Sequence, residues 1–76
     1  MHFHLLKVRA KINREDIVFF SWLIESYEEI AVMRTIDSNE GIVEFWVSPF
    51  LKEDFKEIIE SVDEPIEFIG KSYLND

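Results

Sequence analysis

The chain has no cysteine and no glutamine, and only two glycines and two prolines among its 76 residues. Without cysteine there are no disulfides, no zinc–thiolate centres and no thiol nucleophiles. Both glycines stand alone, so no glycine-rich loop is available to cradle phosphate. No apolar run approaches the length that spans a bilayer. The start, Met1-His2-Phe3-His4, lacks a basic region leading into a hydrophobic one, so the expectation is no signal peptide, no membrane association and a cytoplasmic protein. Basic residues are also scarce. Eight face sixteen acids, and the net charge of −8 repels nucleic acid. Four of the eight (Lys7, Arg9, Lys11, Arg14) fall within the first fourteen residues, where no acid occurs.

What is present suffices for one small domain. Hydrophobic residues make up 47% of the chain and aromatics 14%, enough for a core without staples. The missing glutamine, beside abundant Glu, Ile and Val, fits a thermophilic source.

The clearest strand signal is Gly41-Ile42-Val43-Glu44-Phe45-Trp46-Val47, which follows the turn-like run Asp37-Ser38-Asn39-Glu40. Ala31 to Ile36 are also strand formers, so the pair is predicted to be a β-hairpin. Residues 3 to 12 alternate, with Leu6, Val8, Ala10 and Ile12 on one face and Lys7, Arg9 and Lys11 on the other. Phe3 and Leu5 go with the charged face.

Asn13 is predicted to cap a helix running from about Arg14 to Glu29, with Asp16 in a capping-box position. Its inner stripe is Ile17, Phe20, Leu23, Ile24, Tyr27 and Ile30. Val18 and Trp22 lie outside that stripe as a neighbouring apolar pair. They are expected to form the buried edge of a wide core, with an intermolecular contact as the alternative. Ser48-Pro49 predicts a second helix start, with Leu51, Phe55, Ile58, Ile59 and Val62 as its stripe and an end near Val62. A last strand follows from Pro65 to Ile69, and Leu74-Asn75-Asp76 is expected to be a frayed tail.

The order β-α-β-β-α-β predicts one α+β domain. The expected architecture is a ferredoxin-like sandwich, a four-stranded antiparallel sheet with two helices on one face. Its other face would present Phe3, Leu5, Lys7 and Arg9 from the first strand. The hairpin would add Val32, Arg34 and Ile36, then Ile42, Glu44 and Trp46, leaving Ala31, Met33 and Thr35 inside with Val43, Phe45 and Val47. The last strand would contribute Glu67, Ile69, Lys71 and Tyr73. That surface is too apolar for a face left to water, and it carries both signs of charge. A self-associating or partner-binding face, most simply in a homodimer, is the leading expectation. A sensor of a small anion or amino acid, using Lys7, Arg9, Arg34 and Lys71, is the alternative.

Aromatic residues near basic ones, Phe3 and Trp46 here, resemble a base-stacking sheet. However, no Gly-aromatic-Gly run occupies the third strand and Glu44 sits mid-face, so nucleic-acid binding ranks last. His2 and His4 share a strand face but have no third ligand placed near them, so no metal or other cofactor is expected. No hydroxyl sits in a nucleophile elbow, and the histidines are confined to the N-terminus. A non-enzymatic protein is expected.

The order Ile17-Val18-Phe19-Phe20 through Tyr27-Glu28, then Val32-Met33-Arg34-Thr35-Ile36-Asp37, Gly41-Ile42-Val43 and Ser48-Pro49 resembles a small bacterial family, the domain of unknown function DUF4911. The resemblance spans about residues 8 to 69 and implies no activity. At the level of fold the pattern is also similar to ACT-like regulatory domains. That resemblance implies amino-acid binding at a dimer interface, beside a glycine in the first strand-to-helix loop. Here that loop, Lys11-Ile12-Asn13-Arg14-Glu15, has no glycine.

Overall fold

The computed structural model describes residues 4–70. Four strands, β1 (Leu6–Ile12), β2 (Ala31–Asp37), β3 (Ile42–Val47) and β4 (Ile66–Ile69), alternate with two helices, α1 (Ile17–Glu25) and α2 (Lys52–Glu60). The sheet is antiparallel throughout, in the order β2-β3-β1-β4. This is the expected α+β, ferredoxin-like layout.

The inner face follows the period of two. Val8, Ala10 and Ile12 from β1 and Val43, Phe45 and Val47 from β3 are all buried, against Phe20 and Ile24 of α1 and Phe55 and Ile59 of α2. The Phe45 and Phe55 rings meet at 5.2 Å, which ties α2 to the central strand. Ile66 and Phe68 of β4 pack onto this core from the edge.

Gly41 ends the hairpin turn with φ +71°, and its carbonyl accepts the Ile12 amide at 2.8 Å. A Cβ there would lie 2.0 Å from the Ile12 carbonyl oxygen, so both backbone sign and space require glycine. Asp37 shapes the same turn, its Oδ1 accepting the amides of Asn39 (3.0 Å) and Glu40 (3.1 Å).

Several local expectations are corrected. The first helix is shorter than residues 14–29. A 3-10 turn over Arg14–Asp16 leads into α1, which stops at Glu25. The Ser26 hydroxyl donates to the Trp22 carbonyl, and the Tyr27 amide donates to Ile24, three residues back, which tightens the last turn. Tyr27 is therefore exposed rather than part of the stripe. Asn13 has the extended backbone of a cap, but its side chain donates to Asp16 Oδ2 at 3.4 Å instead of capping a backbone amide. Ser48 makes no side-chain cap either. Its amide bonds the Ile30 carbonyl, and a 3-10 turn over Pro49–Leu51 precedes α2, which ends at Glu60, short of Val62. Thr35 stands opposite buried Val43 yet is exposed, because β2 is an outer strand and a bulge at Ile36 breaks its register beside Thr35. Val18 and Trp22 are not a buried edge. They are 78% and 65% exposed, because a two-layer fold has nothing to cover the outer side of a helix.

Candidate interaction face

The open face of the sheet can be read row by row from the strand register. One row is Val32–Trp46–Lys7, the next Arg34–Glu44–Arg9–Ile69, and the third Asp37–Ile42–Lys11–Glu67. Leu5, just before β1, lies beside Trp46 at the rim. The structure therefore brings together five of the predicted face residues: Leu5, Lys7, Arg9, Arg34 and Trp46. Phe3, Lys71 and Tyr73 lie outside the described residues, as do His2 and the tail.

The centre of the face is a connected cluster. Glu44 uses one carboxylate oxygen to accept the Trp46 indole N–H at 2.8 Å and the other to accept Arg9 Nε at 3.0 Å. The Glu44 side chain is only 13% exposed, whereas that of Arg9 is 55% exposed. The Trp46 and Arg9 hydrogen bonds hold its carboxyl below the ordinary glutamate range, against the opposing effect of burial, and the charges of Arg9 and Lys7 add to this. Lys7 Nζ lies 5.1 Å from the Trp46 ring centre and the Arg34 guanidinium carbon 5.3 Å from it. Lys7 reaches the indole from β1 and Arg34 from β2, the strands on either side of β3. A base stacking on that side of Trp46 would have to displace these cations.

Among the described residues, Lys7, Lys11 and Arg34 have no carboxylate within ion-pair distance. Besides Glu44 in the middle row, the acids in the register are Asp37 and Glu67 at the Lys11 end, whereas Lys7 stands at the other end and Arg34 reaches Trp46 from the middle row. The face is thus polarised along its strands. Leu5, Val32, Ile36 and Ile69 are exposed apolar residues around this cluster. Beside Trp46 lies a shallow hollow of about 130 Å³ that includes Leu5, Ile30 and Val32 and is rimmed by Glu28 and Glu29. Those acids make it a poor seat for an anion.

Two residues of the face, Lys11 and Asp37, lie outside the predicted set of site residues. The alternation that carried Lys7 and Arg9 outward also carried Lys11, so that signal was present. The placement of Asp37 opposite Ile42 depends on the bulge, which no residue type announces.

No group of three or more potential metal ligands occurs among the described residues. Nor is any helix there long and apolar enough to cross a membrane. No curated protein and no solved structure matches the chain. One family model does match, over residues 10–66, from β1 to the first residue of β4. By that match the chain belongs to the family described as domain of unknown function DUF4911.

Proposed function

We propose that this chain is a non-enzymatic interaction module that pairs with a second copy of itself through the open face of its sheet. The observation that carries this is the face's make-up, exposed apolar side chains around a polarised set of charges. A copy turned half a revolution about an axis across the strands would lay the Val32–Trp46–Lys7 row of one face over the Asp37–Ile42–Lys11–Glu67 row of the other, which holds two acids beside Lys11. Two-fold contacts require this kind of self-complementarity. The test is light scattering over a range of concentrations. The expected mass is at least twice the 9.1 kDa chain, falling when Trp46 is replaced by Glu or, as a variant away from the central cluster, when Val32 is. A persistent monomer, or a mass that neither substitution changes, would overturn the reading.

A second reading, a small-anion sensor, is favoured by one feature, the cations Lys7 and Arg34 over the Trp46 ring. Trp22→Phe isolates Trp46 fluorescence. A saturable response to phosphate or glutamate that disappears in Arg34→Ala would favour sensing over pairing.

A further inference from the structure

We infer that the outer side of α1 is a second contact between copies of this chain, formed by two α1 helices packed antiparallel about a two-fold axis near Ser21. It does not depend on the sheet-face reading, because helices and open face lie on opposite sides of the sheet.

The first argument is a mismatch between the two helices. Both cover the same face of the same sheet, so each needs one apolar stripe. The α2 sequence, KEDFKEIIE, supplies one, with Phe55 and Ile59 buried, Ile58 half-buried beside them and charged residues at every other position. The α1 sequence, IVFFSWLIE, is apolar at every position except Ser21 and Glu25. Its inner side buries Phe20 and Ile24, while Val18 and Trp22 form an apolar ridge on the outer side, 78% and 65% exposed. A helix that is apolar on both sides is one covered on both sides.

The second argument identifies the occupant. Val18, Ser21, Trp22 and Glu25 follow the spacing of one stripe of α1, and Arg14 opens the 3-10 turn that leads into it. The segment is thus basic before the helix, apolar in its middle and acidic at its end. Half a revolution about an axis near Ser21 sets Val18 of each copy against Trp22 of the other and Arg14 beside the other's Glu25. The same pairs form twice, as an isologous interface requires. Among the described residues Arg14 has no ion partner, and Glu25 is engaged only by the Ser21 hydroxyl at 3.3 Å. Glu15 begins the neighbouring stripe, and Asp16 is held by Asn13. A uniformly basic partner would suit Glu25 but not Arg14, so a second copy fits better.

The experiment is sedimentation velocity on the full chain, in the unmutated form and in a Trp46→Glu background. Trp22→Glu alters an exposed residue, and far-UV circular dichroism checks that the fold is retained. The expected result is half the parent mass in both backgrounds. Arg14→Glu or Glu25→Arg alone is expected to raise the dissociation constant about tenfold through like-charge contact, and the two together to restore it. A mass unchanged by Trp22→Glu in both backgrounds would overturn the contact. Single charge variants without effect, or a double variant that fails to restore association, would overturn the antiparallel pairing. A monomeric Trp46→Glu parent would also overturn the contact, because α1 pairing does not need the sheet face.

Discussion

Glu44 is the one acid drawn into the middle of the basic half of the sheet, and its two hydrogen bonds make its charge a contributor to stability. Because its folded pKa is lowered, that contribution is present above the unfolded glutamate value, about 4.3, and is lost as pH falls through the folded pKa. Glu44→Gln is therefore expected to lower unfolding free energy by about 1 kcal/mol at pH 7, the modest scale of a pair whose arginine is half exposed. The gap should narrow as pH falls below the unfolded value and through the folded one, and urea titrations at pH 7 and at successively lower pH read it directly. The two glycines offer a contrast at the same scale. Gly41→Ala meets both a positive φ and the Ile12 carbonyl, and is expected to cost roughly 2–4 kcal/mol. Gly70→Ala has the same sign of φ but open space, and should cost about 1 kcal/mol. Equal costs in denaturant melts would contradict the close approach at Gly41.

Among the elements, the central strands carry the fold. β1 and β3 are each paired on both sides, so their amides are expected to exchange slowest, with those of β2 and β4 exchanging earlier. Hydrogen exchange followed by NMR would show the opposite order if the core lay elsewhere. Phe45→Ala, which removes a buried ring against Phe55, is expected to cost about 3–5 kcal/mol, whereas Trp22→Ala should change the stability of an isolated copy by no more than about 0.5 kcal/mol. The element scale also shows what sequence can and cannot convey. Strand existence and facing were legible because one residue in two had to be charged or apolar: Lys7, Arg9 and Glu44 outward, Val8, Val43 and Phe45 inward. The helix ends were not, because Ser26 and Ser48 could each serve two roles, and only the finished fold shows which backbone groups they meet. Trp22 was misjudged for a related reason. Periodicity separates it from the Phe20 stripe but does not say how many layers the protein has.

At the scale of the molecule, charge is unevenly shared. Four of the chain's eight cations, Lys7, Lys11, Arg9 and Arg34, stand in the rows of the open face beside three acids, Asp37, Glu44 and Glu67. The helices carry five acids, Glu25, Glu53, Asp54, Glu57 and Glu60, against Lys52 and Lys56. The candidate face was legible in outline because strand alternation alone assigns Leu5, Lys7, Arg9, Arg34 and Trp46 to one side. The cluster at its centre was not, because the Glu44 contacts join residues 35 and 2 positions apart through side-chain geometry.

The strand order has a consequence for how the chain comes into being. β1 is made first, yet both its neighbours lie far ahead in sequence, β3 at Ile42–Val47 and β4 at Ile66–Ile69. Only the β2–β3 hairpin can close locally. During synthesis the hairpin can therefore form while β1 still waits, with one edge open until residue 69 has emerged. Of the four strands, the one that emerges first waits longest for its hydrogen bonds, and β4, four residues long, is what completes them.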